Sequence, residues 1–492
     1  MDYKNYSIII AKKIDATFRD IIGSTQSAGI RGCTIQNNIM FINVMSNIYI
    51  KRKSPLSIFS IDMEKAFDTV NRQILWKLLD LYGLNNSEIN KIKLLYQTPR
   101  TKIKINNHES DFTDCAAGVR QGCPCSMVLF TIYIETLLKM IMEDKLITPV
   151  YIPGTTKKIK YIAHADDINF RVMDKIALNK IIEKINIFSN LTDMRINQNK
   201  SKIINIYGNI SCDTMKSNTI SNIKILGVWY GANCNQYNLN NMIQKIKNAL
   251  CIWDNTWLYL PERVIVANKI LIAKIMYTLY ITDLNKSQVN SLEKIIFKYI
   301  WQKDFEPISR NIMKNDIYEG GWRIWDIKNL EQALQVAYII NSIKMQDHPL
   351  YDITRYILGP IVKCITAESG NNPFLLDNSI KFKKWREIVT TLVNKDQIRD
   401  TNKPSTIYKN IFNQTNNSNL TDTSINWKET WTNINRLPAE WRELAWRIIN
   451  NIVMTREYLY KYHRVSTARC PRCSRNESIF HVFFECTIAT ET

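Results

Sequence analysis

Residues 161–170 read "YIAHADDINF", with two adjacent aspartates, Asp166 and Asp167, inside an otherwise apolar stretch. The apolar residues on both sides predict a strand, a tight turn and a second strand over residues 158–172. A carboxylate loses hydration when an apolar strand carries it, so the pair needs compensating partners. For one such pair taken alone, a turn aspartate beside a solvated aspartate is the simpler explanation, and further acids must decide.

A third acid follows an earlier apolar strand. In "FSIDMEKAFDTV" (59–70), Asp62 ends a strand predicted over residues 56–62. If folding joins the two strands, their carboxylates meet at strand ends, and hard oxygen ligands of this kind suit Mg²⁺. Two such ions can activate an attacking 3′-hydroxyl and hold a leaving pyrophosphate in line. The acids are therefore compatible with a two-metal phosphoryl-transfer site, and a turn aspartate beside a solvated aspartate stays the alternative at this point.

The composition is that of a folded, basic protein. The chain has 492 residues, 45% of them hydrophobic, and 65 Lys and Arg against 45 Asp and Glu give a net charge of +20. That charge favours a polyanionic partner such as nucleic acid, although an ordinary basic surface is the alternative. No apolar run approaches ~18 residues, so neither a transmembrane helix nor a secretory signal is expected. The 11 cysteines are scattered until the C-terminus, which indicates a reducing compartment with one metal site.

Six motifs in a fixed order resemble those of the reverse transcriptases of LINE-type, non-LTR retrotransposons. Two further stretches, residues 252–280 and 446–473, resemble the thumb of that family and its approach to a zinc knuckle. The six motifs are "QSAGIRGCTIQNNI" (26–39), "FSIDMEKAFDTV" (59–70), "GVRQGCPCSMVLF" (118–130), "YIAHADDINF" (161–170), "MRINQNKSK" (194–202) and "IKILGVWYG" (223–231).

The resemblance implies an α+β right-hand polymerase with fingers, palm and thumb, a helical C-terminal region and a zinc knuckle. The corresponding boundaries are 1–231 for partial fingers and palm, 232–306 for the helical thumb, 307–465 for the helical C-terminal region and 466–492 for the knuckle. The last motif in the palm, "IKILGVWYG", would be the primer-grip hairpin.

The resemblance also implies the catalytic residues. Asp62 and Asp166 would be the Mg²⁺ ligands, and Asp167 would complete the acidic cluster. Lys200 would sit near the triphosphate and protonate the leaving pyrophosphate; as a lone lysine it would more simply be a solvated side chain.

Four residues are implied to contact the incoming nucleotide or template. Phe67 would be the gate that clashes with a ribose 2′-hydroxyl, with a core phenylalanine as the alternative. Gln121 and Gly122 would lie against nucleotide and template, where glycine lets the backbone approach a ligand closely; a simple loop turn is the alternative. Arg31 is the remaining candidate, because the family usually has arginine where Cys33 stands.

Other departures from the family pattern are His164, where an aromatic residue is usual, and Cys125 and Met127, where Leu and Pro are usual. Met1 falls where the fingers of the family are already under way, and the sequence ends at Thr492, soon after the knuckle. The sequence is therefore expected to be truncated at its N-terminus and to lack an endonuclease domain.

The C-terminal cysteines form a metal-ligand pattern. "CPRCSRNESIFHVFFEC" places Cys470, Cys473, His481 and Cys486 at C-x2-C-x7-H-x4-C spacing. Three thiolates and one imidazole suit a closed tetrahedral Zn²⁺ site, which would be structural. Three reduced cysteines beside a surface histidine are the alternative.

Several polar or basic stretches are open to two interpretations. Residues 399–424 are predicted to be a surface loop or linker. "KFKKWR" (381–386) is either a basic patch or a solvated helix face. Trp441 and Trp446, interleaved with arginines, either stack on bases or belong to a helical core.

Taken together, the sequence predicts an RNA-directed DNA polymerase that extends a primer 3′-end by target-primed reverse transcription. Its cofactors would be two Mg²⁺ and one structural Zn²⁺, and its partners an RNA template, a DNA primer or target and dNTPs. A nuclear or cytoplasmic ribonucleoprotein, not a secreted protein, is expected. The alternatives are a catalytically decayed nucleic-acid-binding remnant and a group II intron maturase-like protein. All three acids are present, which favours the active enzyme.

Overall fold

The computed structural model describes residues 2–18, 21–29, 33–210, 219–366, 368–394, 403–415 and 425–491. Its internal contacts divide the chain into two compact units. Unit 1 comprises residues 1–238 and 335–402, and unit 2 comprises residues 239–334 and 403–492. These units do not follow the four predicted domains, because the chain enters unit 2 and returns to unit 1 before its C-terminal part. The four-domain division stays a prediction.

All strands of the described residues lie in unit 1. They are β1 (Leu56–Ile61), β2 (Arg100–Thr101), β3 (Lys104–Ile105), β4 (His108–Glu109), β5 (Thr113–Asp114), β6 (Val150–Tyr151), β7 (Lys158–Ile159), β8 (Tyr161–His164), β9 (Asp167–Val172), β10 (Lys202–Tyr207), β11 (Thr219–Ile220), β12 (Asn222–Ile225) and β13 (Val228–Gly231).

The first twelve described helices are α1 (Asp2–Phe18), α2 (Ile35–Arg52), α3 (Arg72–Leu81), α4 (Asn86–Leu94), α5 (Pro124–Glu143), α6 (Lys175–Thr192), α7 (Cys234–Trp253), α8 (Leu260–Val266), α9 (Ala273–Leu279), α10 (Lys286–Trp301), α11 (Arg310–Lys314) and α12 (Ile327–Ser342). Of these twelve, α1 to α6 lie in unit 1 and α8 to α11 lie in unit 2, while α7 and α12 each span a boundary between the units in the sequence. A π-helical turn, Ala267–Ile272, joins α8 to α9.

The remaining helices complete both units. They are α13 (Pro349–Leu358), α14 (Val362–Ile365), α15 (Ile380–Asn394), α16 (Pro404–Thr415), α17 (Trp427–Ile434), α18 (Ala439–Ile449), α19 (Arg456–Lys461) and α20 (Thr487–Glu491). Short 3₁₀ turns cover Ile317–Glu319 and Gly359–Ile361, and a π-helical turn covers His481–Glu485.

The centre of unit 1 is a five-stranded sheet in the order β11-β10-β1-β9-β8. Strand β1 pairs antiparallel with both β9 and β10, so the strand before Asp62 runs beside the strand that begins at Asp167. Alternate residues such as Phe59, Ile168 and Phe170 are buried in the main apolar core. Because successive side chains of a strand point to opposite faces, this pattern fixes the register and brings the strand ends together.

Helix α5 belongs to the same apolar core as these strand residues, and it is buried along most of its length. By length and composition it is the one described helix apolar enough to cross a membrane. However, 72% of its apolar 18-residue stretch is buried inside the protein. A core helix has the same composition, and α5 packs with α1, α3 and α6.

Two local features of unit 1 follow from residue type and spacing. Helix α3 ends at Leu81, and Gly83 just after it adopts a left-handed φ of 90°. Residues 100–114 form two nested strand pairs, β2 with β5 and β3 with β4.

The loop predicted over residues 399–424 is wrong for its central part, which forms α16. Its residues Ile407, Tyr408, Ile411 and Phe412 are buried. These four lie on one side of a helix, and the surrounding Asn and Thr residues concealed that spacing. Residues 399–402 and 416–424 lie outside the described residues.

The aromatic residues of the ambiguous basic stretches mostly pack as core. Trp385 is buried in α15 and donates to Gln335, 3.0 Å away. Trp446 is fully buried and donates to the carbonyl of Gly320 at 2.8 Å, so the core interpretation holds for it. Trp441 is 55% exposed, and its role stays open.

Candidate active site

Asp62 and the Asp166–Asp167 pair are brought to one end of the central sheet. Ile61 pairs with Ile168, so the next residues in the antiparallel register, Asp62 and Asp167, lie across from each other. The backbone N–H of Asp62 donates to the hydroxyl of Ser201 at 3.2 Å. Folding therefore brings Asp62 and Asp167 to the same place, as the sequence predicts, and both residues line one cavity.

Asp166 occupies the turn between β8 and β9. His164 pairs with Asp167, so Ala165 and Asp166 form a two-residue turn, with Ala165 at a left-handed φ of 54°. The His164 ring lies 2.8 Å from the Ser27 hydroxyl through Nδ1, and burial lowers its pKa. The unusual His164 thus anchors the turn to a neighbouring segment.

Lys200 reaches the acids from the loop before β10. Its Nζ lies 3.7 Å from Oδ2 of Asp62, and both side chains are substantially exposed. The N–H of Lys200 donates to Oδ1 of Asn197 at 3.1 Å, which holds the loop. An ion pair this exposed contributes little to stability, so a solvated lysine and a phosphate-binding lysine are both compatible with its position.

One open cavity of about 350 Å³ contains Asp62, Asp167 and Lys200. Lys202 and Lys224 also line it, beside Trp229. The sequence interpretation gave these two lysines no role, although Lys224 stands in the predicted primer-grip hairpin, which forms as β12 and β13. Three lysines facing carboxylates make a surface suited to phosphate groups.

The acids repel one another at this site. Although Asp167 is solvent accessible, partial desolvation raises its pKa, and the charges of Asp166 and Asp62 raise it further. The hard oxygen donors of these three carboxylates match what Mg²⁺ prefers.

The predicted nucleotide-contacting residues line a second cavity, of about 550 Å³. Phe67, Gln121 and Gly122 meet there with Arg120 and Cys123. Phe67 is half-buried and stacks on Phe130 with ring centroids 4.5 Å apart. One side of the Phe67 ring therefore packs against the core, and the other side faces the cavity. Arg31 lies outside the described residues.

The loop before α5 is held tightly against Phe67. A Cβ on Gly118, whose φ is 84°, would approach the carbonyl of Asp68 to 2.8 Å. The N–H of Val119 donates to the carbonyl of Phe67 at 2.8 Å. Gly122, by contrast, has φ 79° and open space around it, as a backbone position that faces a ligand would.

In unit 2, Cys470, Cys473, His481 and Cys486 converge with all four ligand atoms within 4.8 Å of one another. In a tetrahedral site with Zn–S bonds near 2.3 Å, sulfur atoms would be about 3.8 Å apart, which fits this cluster. Backbone N–H groups of Arg472 and Cys473, and then His481, lower the pKa of Cys470. Nδ1 of His481 lies 3.8 Å from a carboxylate oxygen of Glu485, which is beyond hydrogen-bond distance.

Both sites lie in parts of the chain that match known families. Residues 1–230 match the family described as reverse transcriptase (RNA-dependent DNA polymerase). Residues 405–492 match the family described as zinc-binding in reverse transcriptase. The second match begins well before the predicted knuckle and includes nearly all of α16 and the helices α17 to α20.

Curated relatives are proteins of transposable elements. The Transposon TX1 uncharacterized 149 kDa protein of Xenopus laevis is 24% identical over 350 residues, covering 69% of this chain and 26% of that protein. A Pol polyprotein from the type-1 retrotransposable element R2 of Popillia japonica is 28% identical over 40% of this chain and 27% of that protein. The chain thus spans about a quarter of the length of these relatives.

Among solved structures, a telomerase from Candida albicans in complex with a fragment of telomeric RNA aligns at 11% identity and a TM-score of 0.37. The alignment covers 79% of this chain and 57% of that one. A TM-score of this size is too low to support a conclusion.

Proposed function

Because this chain is a LINE-type, non-LTR retrotransposon reverse transcriptase by its polymerase domain and its relatives, we propose that it extends a DNA primer on an RNA template. The observation that carries the proposal is the meeting of Asp62, Asp167 and Lys200 in one cavity beside the Asp166 turn. The substrates would be dNTPs and a primer 3′-hydroxyl, and in the element that primer would be nicked target DNA.

In this proposal the acids would bind metal and the lysines would bind phosphate groups. Asp62 and Asp166 would hold Mg²⁺, which when bound supplies positive charge to the attacking and leaving oxygens. Lys200, 3.7 Å from Asp62, would neutralise or protonate the leaving pyrophosphate. Lys202 and Lys224 would hold backbone or nucleotide phosphates by their charge.

The second cavity would select the nucleotide. Phe67 would exclude a 2′-hydroxyl because its position is set on two sides, by Phe130 and by the pinned loop at Val119. Gln121 and Gly122 would border the base or sugar.

The C-terminal cluster supports a zinc site, and we assign it one structural Zn²⁺ with four protein ligands. With its four ligands supplied by the chain, the site would have no open position for catalysis. It would instead fix the fold around residues 470–486.

Primer extension with purified chain, an RNA template, a DNA primer, dNTPs and Mg²⁺ tests the polymerase proposal. Extension by the parent and its loss in Asp62→Asn are expected. Tight, salt-sensitive binding of template–primer by the parent without any extension would contradict the proposal. That outcome would favour a decayed nucleic-acid-binding remnant.

A further inference from the structure

The segment of residues 21–29, here called the strap, lies along the free edge of the central sheet. Gln26 forms a parallel bridge with Ala163 of β8. The N–H of Ser27 donates to the carbonyl of Ala163, and the N–H of Ala163 donates to the carbonyl of Thr25, both at 3.0 Å. The strap therefore extends the sheet beside the strand that leads into the Asp166 turn.

The side chain of Gln26 reaches beyond this bridge into the turn. It is fully buried, and its Oε1 accepts from the N–H of Ala28 at 3.0 Å and from the N–H of Ala165 at 3.1 Å. Because both partners are backbone donors, the oxygen of the amide must face them. One side-chain atom thus ties the strap to the residue directly before Asp166.

Ala165 is a residue that needs such a tie. Its φ of 54° lies in the left-handed region, which is unfavourable for a residue with a Cβ. Such conformations persist only where surrounding structure holds them, and they cluster at functional sites. The hydrogen bond to the N–H of Ala165 therefore helps to fix the backbone conformation of the turn and with it the orientation of Asp166.

Packing alone does not account for glutamine at this position. Among the described residues, the Nε2 of Gln26 is buried without a hydrogen-bond partner. A methionine of similar size would fill the space without burying that donor. The hydrogen bonds accepted by Oε1 are what the position requires.

We propose that Gln26 is a positioning residue for the catalytic turn, acting through Ala165 on Asp166. This inference rests on the proposed polymerase function. Mutation of a residue that holds a metal ligand in place commonly lowers metal affinity or activity by 10- to 100-fold. A loss of polymerase activity in that range is expected when Gln26 is replaced.

The test compares Gln26→Met with Asn38→Leu in the 492-residue chain. Asn38 is a buried amide that also contacts the strap, donating to Ser27 and to the carbonyl of Ala163, but it does not reach the turn. Two quantities are measured: hydrogen exchange at the Ala165 amide, resolved by fragmentation mass spectrometry, and kcat and KM for dTTP on a poly(rA)–oligo(dT) substrate.

In Gln26→Met, exchange at Ala165 is expected to accelerate at least ~10-fold, and kcat to fall roughly 10- to 100-fold with KM within ~3-fold. In Asn38→Leu, exchange at Ala165 and kcat should stay within ~3-fold of the parent at a similar melting temperature. Gln26→Glu, which keeps an acceptor oxygen, should retain most of the protection at Ala165.

Unchanged exchange at Ala165 in Gln26→Met would overturn the inference. An equal loss of kcat in Asn38→Leu would do the same, since it would indicate general loosening of the strap. The exchange measurement needs no turnover, so a parent that never extends a primer would contradict the proposed function while exchange still decides the role of Gln26.

Discussion

The acidic cavity of unit 1 and the cysteine–histidine cluster of unit 2 are both potential metal sites, and they are built in opposite ways. The acids of unit 1, Asp62, Asp166 and Asp167, come from motifs far apart in sequence and are accessible to solvent. The four C-terminal ligands lie between residues 470 and 486, three are buried, and their ligand atoms are all within 4.8 Å.

This difference separates an open site from a closed one. An open site with few protein ligands leaves room for substrate phosphates to complete the coordination. A closed four-ligand site leaves no such room, and its metal contributes to folding. Substitutions at the first site should therefore remove turnover without unfolding, and substitutions at the second should unfold the module without removing turnover.

The largest effect is expected at the closed site. Cys473→Ser should lose the zinc, and with it on the order of 10 kcal/mol of binding free energy that supports folding of residues 470–486. Metal analysis and proteolysis of the purified protein check this, with Cys251→Ser, an exposed cysteine in the same unit, as the matched control.

Extension of a preformed primer should survive in Cys473→Ser within a few-fold. Complete loss of extension, with unit 1 still folded, would mean that the closed site takes part in catalysis and would break the comparison.

The next largest effect is expected at the open site. Asp166→Asn should reduce primer extension by ~10³-fold or more, because metal charge at the reacting oxygens is worth several kcal/mol. Its melting temperature and template–primer affinity should match the parent. Asp174→Asn is the control, since Asp174 caps α6 and asparagine caps helices equally well. Full activity in Asp166→Asn would remove Asp166 from the metal site.

A third prediction uses pH to sharpen the contrast between the units. Burial raises the pKa of Glu135 in α5 to about 7, above its ordinary 4.5. The folded state then holds the proton more tightly than the unfolded state, so this group's contribution to stability is full below pH ~4.5 and is lost as pH rises through ~7. Zinc ligands must be deprotonated, so the closed site should weaken in the opposite direction, as pH falls.

Glu135→Gln stays neutral and should raise the unfolding free energy of unit 1 at pH 8 by on the order of 2–3 kcal/mol. The gain should vanish near pH 4.5. Hydrogen exchange of buried α5 amides at the two pH values measures it, with the exposed Glu143→Gln on the same helix as control. An equal gain at both pH values would assign the effect to packing and not to ionisation.

The smallest effect is expected at the second cavity. Phe67→Val should raise the ratio of rNTP to dNTP incorporation roughly 10- to 100-fold, because a steric contact with a 2′-hydroxyl is worth about 1–3 kcal/mol. Competing single-nucleotide incorporation measures the ratio. If an active Phe67→Val enzyme keeps the parent's ratio, Phe67 is only a core residue stacked on Phe130.

Much of the site could be predicted from sequence because its signals are local. The strand before Asp62 and the strand–turn–strand around Asp166 follow from apolar runs interrupted by acids, and both form as predicted. The closed site was equally visible, since Cys470, Cys473, His481 and Cys486 lie close in sequence. Helix α16 was missed because its four buried residues are diluted by polar neighbours.

The chemical groups of both sites, and the strands and turns that carry them, can be predicted from the sequence because residue type and short-range spacing decide them. Which of those groups meet depends on the folded chain. The pairing of Ile61 with Ile168 sets Asp62 across from Asp167, and the bridge of Gln26 to Ala163 brings a side-chain oxygen to the turn. Such contacts depend on strand register, which is fixed by burying one face of a whole sheet and not by any one segment.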